Sequence, residues 1–473
     1  MDAGDARRAN GGVSGGRLRR AAPLASLTTR TLGEAAVMAL RGRLTGESSA
    51  EFHLRTAERY TELLGRSKGA LMKVGQMLSF TAVSSAVPKE FQSIYQTALA
   101  RLRSEAPPMA PGLARVMLER ELGDRVKQAF AEFDWEPFAA ASIGQVHAAR
   151  LRDGRAVAVK IQYPGVAEAI RADLKNAELL ATLLTLALSG LSPRGLSLDI
   201  RSMAREVGAR IEEELDYRLE ASNQAEFAEN YCGHPFIHVP AVIGELCTGR
   251  VLTQELVHGR CWNEALAAEQ SLRDQWAEAI HRFVYGSFYR RSTFNADPHP
   301  GNYIFHEDGS VSFLDFGSVK CLRRDRVEMM VAIYRECLRG DVRGTWRASV
   351  EAGMWRSSDP VTPEEVFAYW RDDNVLVWAQ PYFTVNPDDI GRSIERRFSP
   401  TGPSANVLRY CTMPPEYALL ARAEIGVASV IAQLRAGNNW GSFAAEYCVD
   451  AEPLTTMGRR EREFLRLASG SPS

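Results

Sequence analysis

Between residues 294 and 317 the chain reads FNADPHPGNYIF, HEDGS and VSFLDFG. Asp297 and Asn302 stand five residues apart, and a turn at Asp308-Gly309 predicts a hairpin that delivers Asp315 beside them. Phosphoryl transfer needs this set of groups. One carboxylate orients or deprotonates the acceptor, while an amide and a second carboxylate hold magnesium. Oxygen ligands from so few residues suit Mg2+, which keeps waters and takes its other ligands from phosphate. A surface turn rich in Pro, Gly and Asp is the bland alternative. An isolated DFG would carry little, but here D-x4-N precedes it and VAVK stands far upstream.

VAVK ends at Lys160, the place of a lysine that grips nucleotide phosphates from a strand. A solvated strand lysine is the other reading. Such a lysine requires a helix carboxylate to hold it, and IEEELDYRLEASN (211–223) offers several. On one helix Glu213, Asp216 and Glu220 fall at i, i+3 and i+7, a stripe whose like charges repel by a few tenths of a kcal/mol per pair. The stripe is either a solvated face or a face turned toward a lysine and a metal; Lys160 and Asp315 favour the second. Upstream, PFAAASIGQVHAAR (137–150) occupies the place of a phosphate loop. Glycine there would let backbone N–H groups close on phosphate, but the loop offers Ala139, Ala140, Ala141 and Ser142 instead.

These groups need a scaffold. Residues 138–163 alternate and are rich in Val, Ile and Ala, with Asp153-Gly154 between two predicted strands. That hairpin carries the alanine loop at its start and Lys160 on its second strand. Helices are predicted over roughly 166–190 and 200–231, strands near 237–257, and a helix from Leu272 to Tyr289. After about residue 322 the pattern is mostly helical, with loops around 356–363 and 398–404. Upstream, 51–96 reads as helix, 104–111 as a breaker-rich linker and 112–130 as another helix.

At 473 residues the chain has room for roughly two to four domain-sized units, or one two-lobed enzyme with extensions. Its 45% hydrophobic and 24% charged residues are ordinary for a soluble globular protein. A net charge of −1 gives no bulk attraction to nucleic acid, and no nucleic-acid partner is expected. The seven cysteines form no CxxC pair, which points to a reducing compartment. Cys232, His234 and His238 lie close in sequence but lack further ligands at zinc spacing. The longest uncharged apolar run, Leu179 to Leu191, falls short of the roughly twenty residues of a membrane span and reads as a buried helix. Residues 1 to about 30 look disordered, and Asp2 and Asp5 argue against a transit peptide.

AAASIGQVH, VAVK, ELDYRLEASN, ADPHPGN and LDFG, in this order, resemble the UbiB (AarF-type) family of atypical protein-kinase-like proteins. The family's additional KxGQ motif stands here as Lys73-Val74-Gly75-Gln76. The resemblance implies an α+β, two-lobed protein-kinase-like fold with a small N-lobe sheet, a mostly helical C-lobe and an N-terminal helical extension. The corresponding division is a disordered 1–45, an extension over 46–130, an N-lobe with inserted helices over 131–258, a C-lobe and helical tail over 259–455 and a flexible 456–473.

The resemblance also implies roles. Asp297 is the catalytic aspartate, Asn302 and Asp315 hold metal, and Lys160 pairs with Glu220. Ala139 to Ser142 form the alanine-rich loop, and the stretch from Glu255 to Val257 contacts adenine. Lys73 and Gln76 belong to an extension folded across the active site, with Glu214 and Asp216 as its ExD partners. The implied activity is a Mg2+-dependent ATPase or atypical kinase that uses ATP, or a module gated by ATP or ADP, with a lipid or isoprenoid quinone intermediate as partner. The implied location is cytoplasmic, peripheral at the inner face of a membrane. The chain departs from the pattern at Asn295-Ala296, where the family commonly has histidine at the first position and protein kinases have His-Arg. No Ala-Pro-Glu follows LDFG, so the peptide-substrate apparatus of protein kinases is not visible.

Overall fold

The computed structural model describes residues 109–141, 143–168, 170–171, 212, 215–371, 382–398, 402–412 and 414–468. The helix expected over 51–96, the apolar run at 179–191 and residues Lys73, Gln76, Ser142, Glu213 and Glu214 lie outside them. The chain divides into two compact units, Met1–Ala221 with Val242–Leu256, and Ser222–Ala241 with Val257–Ser473.

In the first unit α1 (Pro111–Leu122) starts on a proline, which has no N–H to strand in the first turn, and buries Ala114, Met117, Leu118 and Leu122. A short α2 (Arg125–Ala129) follows. The sheet consists of β1 (Phe130–Phe133), β2 (Ala139–Ala140), β3 (Gly144–Leu151), β4 (Ala156–Gln162) and β6 (Val251–Glu255), in the order β1-β3-β4-β6 with β2 also on β3. All these pairings are antiparallel. The expected turn at Asp153-Gly154 joins β3 to β4, closed by Leu151 N–H to Arg155 O at 2.8 Å. Val157, Val159 and Ile161 of β4 pack with Leu118, Leu122, Tyr217, Val251 and Leu252 in the core.

Two helix expectations in this unit are corrected. The helix expected over 112–130 is two helices, α1 to Leu122 and α2 over Arg125–Ala129, parted at Gly123, whose φ of 58° ends the first, and the chain turns to strand at Phe130. Of the helix expected over 200–231, Leu215 and Asp216 are not helical and α3 spans Tyr217–Asn230, while residues 200–211, 213 and 214 lie outside the described residues. There the Tyr217 N–H donates to Gly249 O at 3.2 Å, and Asp216 Oδ1 accepts the Arg218 N–H at 3.0 Å. A tertiary bond and a local side-chain bond thus replace helical ones.

The second unit begins with β5 (Ile237–His238), which pairs in parallel with β9 (Val311–Phe313). β9 forms the expected hairpin with β8 (Tyr303–Phe305). Helices α4 (Trp262–Leu266) and α5 (Gln270–Arg291) precede β7 (Thr293–Asn295), which pairs with β10 (Val319–Cys321). Residues 276–289 of α5 are buried on every side, so this helix is the axis of the unit's core.

Beyond it run α6 (Arg324–Arg339), α7 (Val342–Glu351), α8 (Pro363–Arg371), α9 (Pro387–Phe398), α10 (Ala405–Tyr410), α11 (Pro415–Gln433) and α12 (Trp440–Val449). This matches the helical pattern expected after 322, apart from a small pair, β11 (Phe383–Thr384) with β12 (Gly437–Asn438). The tail expected to be flexible from residue 456 is instead α13 (Thr456–Ala468). Its Glu461 is 1% exposed and accepts from Arg282 Nη1 at 2.9 Å and Arg290 Nη1 at 2.7 Å. Glu461 joins Glu278 and Glu446 around the buried Arg282, and the pairing fastens the helix. No described helix is long and apolar enough to cross a membrane.

Candidate functional site

Lys160 and Glu220, sixty residues apart, meet in the first unit. Lys160 Nζ donates to both Glu220 oxygens at 2.9 Å, and the side chains are only 14% and 6% exposed. The ring of Tyr217 lies 4.8 Å from the same ammonium, a cation–π contact that fixes the lysine from a second direction. Among the described residues of the acidic stripe, Glu220 is placed on the lysine. Asp216 is exposed and caps the start of α3, so it does not share a helical face with Glu220.

The alanine loop hangs from β3. Ala139 pairs with Val146 and Ala140 with Gln145, and Ala141 N–H donates to Gly144 O at 2.9 Å. Ala139 and Ala140 are exposed. Gly144 closes the turn because a Cβ there would stand 2.3 Å from the Ile161 carbonyl oxygen, so no other residue fits. Glu255 ends β6 opposite Val157, and Leu256 N–H continues the ladder to Ala156 O at 3.1 Å. Val257, half-buried, opens the second segment of the second unit.

In the second unit Asn295 ties the Asp297 and Asp315 segments together, and Asn302 joins them through Asp297. The Asn295 amide donates to Asp315 O at 2.6 Å, and its side-chain oxygen accepts the Asp297 N–H at 3.0 Å. Asp297 O in turn accepts the His299 N–H at 2.7 Å and Asn302 Nδ2 at 3.3 Å. That bond commits the Asn302 nitrogen, so its oxygen is the end offered to a cation. Asp315 Oδ1 accepts the Gly317 N–H at 2.9 Å, and Asn223 Nδ2 donates to Phe316 O at 3.0 Å. Burial raises the Tyr303 pKa, and the charge of Asp297 adds to the effect. Pro298 lies against α11, where a Cβ on Gly426 would fall 2.4 Å from its ring. The donor set, an amide and carboxylates, is hard oxygen and fits Mg2+. Elsewhere, His234 faces Glu461 at 3.8 Å and His238 bonds to Ser312 at 2.9 Å, so neither turns toward Cys232 as a shared ligand set would require.

Sequence reasoning passed over three of these residues. Asn295 counted only as a departure from a pattern, although an asparagine inside the buried TFN strand signals a bonded side chain. Tyr217 and Asn223 lie within a motif already noted, but the contacts they make are tertiary.

The ABC1 atypical kinase-like domain matches residues 101–349. The atypical kinase coq-8 of Caenorhabditis elegans, a mitochondrial protein, is 30% identical over 397 residues, 82% of this chain and 50% of its own length. The mitochondrial atypical kinase COQ8B of Rattus norvegicus is 34% identical over 304 residues, 63% of this chain and 55% of its own. The match thus spans about half the length of these relatives. Rv3197 of Mycobacterium tuberculosis, solved in complex with erythromycin, superposes with a TM-score of 0.61 at 30% identity, covering 85% of this chain and 97% of that one. The chain belongs to the UbiB/ABC1 family of atypical kinase-like proteins, and its fold is the two-lobed α+β kinase-like one.

Proposed function

We propose that the protein binds adenine nucleotide with Mg2+ and either hydrolyses ATP or transfers its phosphate to an acceptor that is not an ordinary protein. The observation that supports the reading is that Asn295 bonds both the Asp297 and the Asp315 segments, while Asn302 bonds back to the Asp297 carbonyl. In this reading Lys160, held by Glu220, grips the phosphates. Asn302 and Asp315 supply the oxygen ligands, and Asp297 orients or deprotonates the acceptor. Mg2+ would neutralise charge developing on the transferred phosphoryl group. Ala139 to Ser142 cover the phosphates, Glu255 and Val257 contact the adenine, and Lys73, Gln76, Glu214 and Asp216 form the extension's share of the site. The family connection extends the proposal to isoprenoid quinone or lipid metabolism, with peripheral contact at the inner face of a membrane.

A second reading is a nucleotide-gated binding module with little turnover. The complex of Rv3197 with erythromycin supports it, since a relative of the same fold takes a small molecule that is not a nucleotide. A protein kinase is disfavoured by the missing Ala-Pro-Glu segment.

The test is a thermal-shift panel of ATP, ADP and AMP with and without Mg2+, followed by an ATPase assay with lipid added. Shifts with ATP or ADP that require Lys160 and respond to Mg2+ are expected. The absence of any nucleotide-dependent shift would sink the reading. Loss of both ATPase and cellular function in Asp297→Asn supports catalysis, whereas retained function in an ATPase-dead variant supports the gated module.

A further inference from the structure

Two buried polar side chains on β3 take no part in the site described above. Gln145 is 1% exposed and His147 is 0% exposed, so each needs hydrogen-bond partners. The carbonyl oxygen of Asp134, which can only accept, lies 2.9 Å from His147 Nδ1. Nδ1 therefore carries the proton and Nε2 accepts. Nε2 takes its bond from Gln145 Nε2 at 3.0 Å. That same Gln145 nitrogen donates to Met109 O at 3.3 Å, while Gln145 Oε1 accepts the Met109 N–H at 2.6 Å. A carbonyl at one end and a peptide group at the other fix the direction of every bond in this relay.

The relay joins Asp134, just past β1, to β3 and to Met109, where the chain enters from residues 1–108. The backbone of Gln145 also pairs with Ala140 of the alanine loop. Gln145 thus sits between Gly144 and Val146, whose carbonyls accept the Ala141 and Phe138 N–H groups at 2.9 and 3.0 Å, while its side chain holds Met109. We propose that Gln145 is a positioning residue for the nucleotide loop, locking it to the chain entering at Met109, and that the lock holds only while His147 is neutral. The consequence for nucleotide rests on the function proposed above; the lock itself does not.

An imidazolium carries N–H at both nitrogens, so protonated His147 would face Gln145 Nε2 donor to donor. Turning the amide over would only move the conflict to the Met109 N–H. Protonation therefore releases Met109. Burial lowers the His147 pKa from 6.5, opposed by the Asp134 carbonyl bond and by the charges of Asp134 and Glu136. The ring of Phe133 covers the imidazole at 5.5 Å, and Val159 of β4 lies opposite in the ladder. The neutral form is favoured above an unfolded-state pKa of about 6.5, and the lock weakens as pH falls below that toward the depressed folded value.

Hydrogen exchange at the Met109 amide and ATP and ADP affinities, measured on the full chain at pH 7.5 and 5.5, test both parts. Gln145→Leu is expected to speed Met109 exchange roughly tenfold and to move the ATP-to-ADP affinity ratio by about threefold or more. His147→Gln can repeat the relay's directions without titrating, so it should keep Met109 protected at both pH values while the wild type loses protection at the lower one. Should Gln145→Leu fail to fold, Gln145→Glu serves instead. Its carboxylate accepts from the imidazolium instead of opposing it, so the pH dependence should invert, with Met109 better protected at pH 5.5 than at pH 7.5. Unchanged Met109 exchange and affinity ratio in the position 145 variant overturns the proposal, as does equal pH sensitivity in His147→Gln and wild type. Exchange that responds as described in a protein binding no nucleotide supports the lock and overturns the role given to Gln145 at a nucleotide loop.

Discussion

Asn295 donates through its side-chain amide to the backbone oxygen of Asp315 at 2.6 Å, across 20 residues of sequence. Its oxygen accepts the Asp297 N–H, so one residue that is 6% exposed registers both carboxylate-bearing segments. Asn295→Leu strands an N–H and a carbonyl, each worth about 1–3 kcal/mol when buried. The expected result is a loss of Mg-nucleotide affinity or turnover of about tenfold to a hundredfold. Asn295→Asp, which keeps the acceptor and loses the donor, should fall between. Titration calorimetry with MgATP measures this, and wild-type affinity in Asn295→Leu would remove Asn295 from the site.

Lys160 and Glu220 form a pair that is nearly out of solvent. Truncating one partner removes a charge-assisted pair from a site nearly out of solvent, so Glu220→Ala should cost up to about 3–5 kcal/mol of folding stability. Replacing both, as Lys160→Met with Glu220→Leu, should restore much of that stability while leaving nucleotide binding lost. Urea denaturation of the single and double variants separates the two effects. A double variant no more stable than Glu220→Ala contradicts the assignment.

Gly426 gives the ADPHPGN loop its room. An added methyl would meet the Pro298 ring at 2.4 Å, which forces the residue next to Asp297 to move. Gly426→Ala is therefore expected to reduce turnover several-fold without a matching loss of stability, since alanine favours the helix by about 1 kcal/mol. Gly391→Ala on α9, where the same Cβ meets nothing, is the control. Equal turnover in the two variants would show that the loop tolerates the displacement.

Glu461 makes stability depend on acid. Burial pushes its pKa up, but His234 beside it at 3.8 Å and the charges of Arg290 and Arg282 outweigh it and hold the pKa at about 2, against 4.5 ordinarily. The folded pKa is depressed, so its stabilisation is present above about pH 4.5 and is lost as pH falls toward about 2. Glu461→Gln should lower stability at neutral pH by about 3–5 kcal/mol and flatten the acid side of the profile. Denaturation midpoints across that range give the answer, and parallel curves for the two proteins would contradict it.

Much of this was readable from the chain. Alternating Val and Ala with Asp153-Gly154 fixes a hairpin, and D-x4-N before a second turn and LDFG fixes another, because period-two burial and turn chemistry are local. Local chemistry also named Lys160, Asp297, Asn302 and Asp315 as residues with a task. Which acid holds Lys160 was not local. Helical spacing grouped Glu213, Asp216 and Glu220, but the Tyr217 N–H spends its bond on Gly249 and α3 begins there, so Asp216 leaves the face that carries Glu220 to Lys160. Residues 456–468 read as a polar tail until Glu461 is seen to join Glu278 and Glu446 around the buried Arg282. The sequence by itself determined which chemistry is present and which hairpins carry it. Only the tertiary structure decided which polar groups pair, because the cost of leaving a buried donor, acceptor or charge unpaired arises when distant segments pack.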